Sequence, residues 1–235
     1  TKDIRYRDAF LQGVEYLLSG QYENGGWPQF WPGPRGYQVH ITFNDDAIVN
    51  TLNMIRDMMN HKAPYEDDLI DKALCVRLGK AFNKGIECIL ATQIIKDGEP
   101  SVWCQQNDRE TLKPAPARAY ELPSYCSAES AGIVRLLMEL PAPDARVKRA
   151  VHGAMKWFDR YKLTGLKCER IVLANGERDT RLVEDPQAKP IWARYYDLKY
   201  CEPYVCDRDG LPRRHLEEIG TEPVSYTHLR AHETG

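Results

Sequence analysis

Twice along this chain an amphipathic helical stretch runs out into a loop rich in Gly, Pro and aromatics that carries the same marks. Leu18, Gln21, Asn24-Gly25, Trp27 and Gln29 are echoed by Leu90, Gln93, Asp97-Gly98, Trp103 and Gln105, offset by roughly 72 to 76 residues. Each block ends a helix, turns on Asn/Asp-Gly and delivers a Trp followed by a Gln. Units that repeat in this way bury their apolar faces by stacking as helical hairpins. Closed into a ring, such hairpins make an α/α toroid with its loops gathered at one mouth.

The apolar spacing supports that reading. Phe10, Val14, Leu17 and Leu18 share one face of a helix from about Tyr6 to Ser19. Ile48, Leu52, Ile55 and Met59 do so from Asp45 onward, with Asn44 as N-cap. A longer helix is predicted from about Asp68 to Thr92, a fourth from Ser127 as its cap through Leu140, and a fifth after Asp144 with Val147, Val151, Ala154 and Phe158 inward. The β-branched runs around a Gly turn in GLKCERIVLANGERDTRLVED predict a small β-hairpin. Beyond it the chain reads as loops, with one short helix near His215. The expected fold class is therefore all-α, mainly helical.

Composition excludes some classes and permits others. A net charge of −2 leaves no basic excess for a general nucleic-acid partner. No stretch reaches the ~18 uncharged apolar residues of a membrane span. Seven cysteines at irregular spacing are not a disulfide framework, and they read as buried thiols with at most one bridge. After Glu222 the character changes abruptly. The stretch VSYTHLRAHETG resembles the translation of a sequencing adapter, so residues 223–235 are set apart from a domain spanning 1–222.

Several residues stand where they could carry chemistry, each with a plainer alternative. Asn44-Asp45-Asp46 either caps a helix or offers oxygens to a hard cation such as calcium. Asn107-Asp108-Arg109 closes the second loop, and Arg118 follows in KPAPARAYELPS, where Pro114, Pro116 and Pro123 stiffen the backbone. That arginine is either a preorganised charge or a surface ion pair. Arg194 lies among Trp192, Tyr195 and Tyr196, which suits a guanidinium held by stacking. Arg208 stands between Asp207 and Asp209 in what is otherwise a turn. Trp27, Phe30, Trp31 and Tyr37 form either a stacking surface for sugar rings or the packing of their own loop. Glu121 and Glu129 are candidate acids without a spacing that indicates glycoside hydrolysis.

In order, NGGWPQFWP, HITFNDDAIVN, ARAYELPS, SAESAGIVRLLM, IWARYYDL and CDRDG resemble the family-ten polysaccharide lyases, which are pectate lyases. The resemblance runs from Thr1 to Glu222. It implies a toroid that cleaves polygalacturonate by anti β-elimination with Ca2+ bound at the site. Arg118 matches the proposed catalytic base, Asp45 a calcium-site aspartate, and Arg194 and Arg208 the arginines that hold substrate carboxylates. Trp27 and Asp108 complete the expected substrate contacts. Family members extend further at both ends, which implies an incomplete ring. The resemblance also implies a secreted or periplasmic monomer acting on pectate, with neither nucleic acid nor membrane as partner. Two other readings compete. One is a different toroid enzyme, such as an unsaturated uronyl hydrolase or a terpene cyclase. The other is a pectin-binding fragment without catalysis that uses Trp27 and Trp31 as a platform.

Overall fold

The structure, a computed structural model, describes residues 3–66, 69–172, 176, 178–219 and 229–230. Two compact units make up the chain: residues 1–92 with 107–113, and residues 93–106 with 114–235.

The first unit holds α1 (Ile4–Ser19), α2 (Ala47–Met59) and α3 (Lys72–Thr92). Carboxylates cap two of them. Asp3 accepts from the Arg5 amide at 3.0 Å and Asp71 from the Leu74 amide at 2.7 Å, each satisfying a donor the helix itself cannot. Asn44 does not cap α2. That place falls to Asp46, which is left-handed and makes no side-chain capping bond. The apolar stripe of α2 (Ile48, Leu52, Ile55, Met58) is buried, as is that of α3 (Leu74, Leu78, Phe82, Ile86, Ile89). Fully burying each such side chain contributes about 1.5–3 kcal/mol. Gly85 lets the two helices approach closely, because a Cβ there would lie 2.5 Å from a Leu52 methyl.

The second unit holds α4 (Ser127–Met138), α5 (Ala145–Tyr161) and most of the strands. Asp144 caps α5 as the sequence predicts, accepting from the Arg146 and Val147 amides at 2.8 and 2.9 Å. Ser127 does not cap α4. It is the first helical residue, and its hydroxyl donates instead to the Ala193 carbonyl at 2.7 Å. A four-stranded antiparallel sheet runs in the order Pro212–Arg213, Pro203–Cys206, Tyr195–Asp197, Ser124–Cys126. Strands Leu166–Val172 and Arg178–Glu184 form a hairpin with seven paired positions.

The all-α toroid expectation is therefore wrong. Of the described residues 42% are helical, and several β-sheets are present. The physical reason is strand length. The pieces of the four-stranded sheet are two to four residues each, too short to show alternation, and one of its pairings, Ser124–Cys126 with Tyr195–Asp197, joins segments far apart in sequence. The tail set apart at residues 223–235 lies outside the described residues except for Leu229 and Arg230, which pair with Ala193 and Trp192.

The internal repeat has a physical basis. The Gln21 amide donates to the Gly25 carbonyl of its own loop and to Ala81 of α3, both at 2.9 Å. Gln93 does the same for Ser101 and for Ala150 of α5, at 2.8 and 2.9 Å. Each glutamine thus folds the start of its loop back and latches it to a helix. Close backbone approach completes both joints: a Cβ on Gly25 would fall 2.0 Å from the Lys84 carbonyl, and one on Gly153 would fall 2.4 Å from that of Pro100.

Candidate functional site

The first unit gathers polar groups at the mouth of its long loop. Asp45 and Asp46 are consecutive residues in left-handed backbone, at φ/ψ of 53/36° and 58/24°. Non-glycine residues adopt this conformation at a cost of about 1 kcal/mol or more each, and functional sites are where such strain tends to persist. Asp45 is exposed and Asp46 half-buried. Both offer hard oxygen donors of the kind calcium takes. Among the described residues, however, no group of three or more His, Cys, Asp or Glu side chains comes together. The aspartates therefore fit part of a calcium site, with other oxygens needed to complete it.

Asp108 is held by its own loop. One carboxylate oxygen accepts from the Glu110 amide at 3.1 Å, the Thr111 amide at 2.7 Å and the Thr111 hydroxyl at 2.9 Å. The other lies 3.6 Å from Nδ1 of His40. These contacts, the Thr111 amide foremost, lower the Asp108 pKa from its ordinary value. Such a group stabilises the fold above its unfolded pKa of about 3.9, and that contribution is lost as pH falls through its lower folded value. Urea midpoints at several pH values give a direct check on Asp108→Asn. Wild type should exceed the variant at pH 7, and the gap should close as the pH drops below about 4. A gap independent of pH would show that the charge is irrelevant.

Trp27 is largely buried, with 7% of its surface exposed, and its indole N–H donates to the Leu17 carbonyl at 2.9 Å. It lines a cavity of about 220 Å³ with Tyr16, Gln29, Trp31 and Thr42. Phe30, at 60% exposure, is the loop aromatic open to solvent. Asn24 of the same loop donates to the Arg109 carbonyl at 2.6 Å and accepts from the Gly26 amide at 3.1 Å.

The second unit carries the arginines. Arg118 is gripped by Glu121 through a two-pronged guanidinium–carboxylate contact, Nε at 2.8 Å and Nη2 at 2.6 Å, while its backbone amide donates to the same carboxylate at 3.1 Å. Glu121 is fully buried, whereas the Arg118 side chain is 41% exposed. The guanidinium also lies over the Tyr120 ring, 5.1 Å from its centroid. Hydrogen bonding to Glu121 raises the Arg118 pKa above its already high usual value. The result is a fixed cation with one face open. Beside this turn runs the Arg208 turn, where a Cβ on Gly210 would come within 3.3 Å of the Ala119 carbonyl. Arg208 is exposed, and Asp209 accepts from Arg213 at 3.0 Å.

Arg194, in the same unit, is buried, 5% exposed, and packs on Tyr195, whose hydroxyl also interacts electrostatically with Arg118 and Glu121. Its guanidinium is paired with Glu129 of α4, which also accepts from the Cys126 thiol. Burial opposes the charge on Arg194, but the Glu129 carboxylate more than offsets it and the pKa is raised. The guanidinium packs 5.1 Å from the Tyr195 ring centroid. Arg194 thus faces a protein carboxylate in this structure.

Sequence reasoning named the arginines but not their partners. Glu121 and Glu129 stood out only as candidate acids, and each proves to be an arginine's counter-ion. His40 was overlooked, although it opens the HITFNDD string; only its proximity to Asp108 marks it. The seven cysteines are free, and burial pushes several up, Cys88 to about 12.

A protein of this fold has been solved. A family 10 polysaccharide lyase from Cellvibrio cellulosa matches with a TM-score of 0.87 and 31% sequence identity, over 97% of this chain and 69% of that one. An aspartate-to-alanine mutant of that lyase, in complex with trigalacturonic acid, matches equally well over 70% of its length. No curated protein matches the chain. At this identity and coverage the chain is an enzyme of the polysaccharide lyase class. Residues 1–228 match the pectic acid lyase family model, and the chain belongs to that family.

Proposed function

We propose that this chain is a pectate lyase that cleaves polygalacturonate by calcium-assisted anti β-elimination, releasing unsaturated oligogalacturonates. The observation that carries the reading is Arg118, a half-exposed guanidinium held rigidly by a buried carboxylate and flanked by the Arg208 turn. The trigalacturonic acid bound by the Cellvibrio cellulosa enzyme supports the choice of polymer.

Elimination removes the proton from C5, forms the C4–C5 double bond and expels the glycosidic oxygen, which leaves as the hydroxyl of the departing chain. Negative charge builds on the uronate carboxylate as C5 loses its proton, so fixed positive groups facing that carboxylate lower the barrier. Arg118 is the group assigned to meet the C5 proton. Because Glu121 favours its charged form, accepting that proton requires Arg118 first to give one up, and turnover is expected to rise toward alkaline pH. Arg208, exposed on its turn, is assigned to a substrate carboxylate. Asp108 offers its outer oxygen to a sugar hydroxyl, and Trp27 supports the loop aromatics. Arg194, paired with Glu129, fixes the ring of Tyr195. Asp45, with Asp46, would hold calcium, which supplies charge to acidify C5 and offset the enolate.

No helix among the described residues is long and apolar enough to cross a membrane. A polymeric substrate puts the reaction outside the cytoplasm, in a secreted or periplasmic monomer. The deciding experiment follows the ultraviolet absorbance of the unsaturated product on polygalacturonate, with calcium and then with chelator. A rise that the chelator abolishes is expected. A rise indifferent to chelator would remove calcium from the reading, and reducing sugar without absorbance would replace elimination with hydrolysis.

A further inference from the structure

The four-stranded sheet has two faces, and its register assigns residues to them. Cys126, Tyr195 and Tyr204 are directly opposed across neighbouring strands and so share one face, where Tyr120 packs under the Arg118 guanidinium. Tyr125 and Tyr196 are opposed on the other face, where Trp157 of α5 lies 6.0 and 5.0 Å from their rings. The α5 side of the sheet is therefore separate from the Arg118 side.

On that second side a cavity of about 220 Å³ opens between α5 and the hairpin of Ile95–Lys96 with Glu99–Pro100. Three cations line it: Lys96, Lys156 and Arg160. Lys96 and Arg160 lie against ring faces, 5.9 Å from Tyr125 and 5.5 Å from Tyr161. No ion pair joins these cations to a carboxylate among the described residues, whereas Arg77, Lys84 and Arg118 each have one. Asp97 and Glu99 also line the hollow, but the three cations outnumber these two carboxylates and none of the three is held in an ion pair, so the hollow keeps a net positive charge that favours an entering anion. The hollow also has the half-exposed ring of Tyr161, and its carboxylates Asp97 and Glu99 are acceptors. A cation for a carboxylate, an aromatic face for C–H groups and acceptors for hydroxyls are together what a sugar acid requires.

We infer that this hollow is a second binding site for galacturonate residues, which anchors the polymer away from the site of cleavage. Its identification with galacturonate rests on the lyase reading; its preference for a uronate over a neutral sugar rests on its own residues. Affinity electrophoresis through gels containing polygalacturonate and chelator tests it, since the chelator holds the polymer intact. Lys156→Ala/Arg160→Ala should bind the gel polymer about tenfold more weakly than wild type. Lys72→Ala/Lys80→Ala, which removes equal charge from exposed positions on α3, should migrate as wild type does. Cleavage of trigalacturonate in calcium should be unchanged in both. Equal retardation of the two double variants, or no retardation of wild type, would overturn the site. Lost retardation in a protein that proves to have no lyase activity would uphold the site and refute the catalytic assignment.

Discussion

Arg118→Lys is expected to lower turnover of polygalacturonate by about 10³-fold, with much smaller loss in binding of trigalacturonate. Lysine keeps the charge but loses the planar fork. Glu121 could then hold it by one contact where it now holds Arg118 by two, at 2.8 and 2.6 Å. The ammonium would wander on its longer stem, and groups aimed at developing charge act only when fixed in advance. The companion variant Glu121→Gln discriminates further. Removing the carboxylate charge lowers the Arg118 pKa, so if Arg118 takes the C5 proton, the alkaline limb of the rate profile moves to lower pH even as the maximum falls. An unchanged limb would leave Arg118 as a fixed cation and pass the base role to another group. Lysine at full activity would remove Arg118 from the reaction altogether.

The second large effect is on stability. In Glu129→Ala the Arg194 guanidinium stays buried with its carboxylate gone, the situation that makes broken buried pairs costly. The two side chains are 4% and 6% exposed, so solvent offers little relief. A loss of about 3–5 kcal/mol is expected. In a chain of this size that lowers Tm by roughly 6–20 °C, read by calorimetry or circular dichroism. The double variant Glu129→Leu/Arg194→Met should recover much of it, because an apolar pair removes both charges. A Tm within about 2 °C of wild type for Glu129→Ala would mean that water or a rearranged neighbour already serves Arg194.

The helices were legible because five amphipathic stretches are long enough for a 3.6-residue period to repeat. Asp144 announced its helix correctly. Asn44 and Ser127 did not, because sequence shows a residue able to cap but not which backbone it will meet. The hairpin at Leu166–Val172 was visible in its β-branched run, whereas Ser124–Cys126 and Tyr195–Asp197 become strands only through each other. In the site, the arginines stood out by their surroundings. Glu121, three residues from Arg118, could have been paired with it by spacing; Glu129, 65 residues from Arg194, could not. Trp27 was ambiguous for a different reason, since a tryptophan in a glycine-rich loop reads the same whether it greets a sugar or closes the loop on itself.

The glutamine latch has a consequence for how such a protein can change. Gln21 and Gln93 settle each helix exit within a few residues, through one bond to the loop and one to a helix. Whatever the chain does afterwards, before Ala47 or before Ser127, is no longer responsible for keeping the helices in phase. Excursions of different length and chemistry can be exchanged downstream of the same joint, so the scaffold can be inherited while the specificity it displays is rewritten.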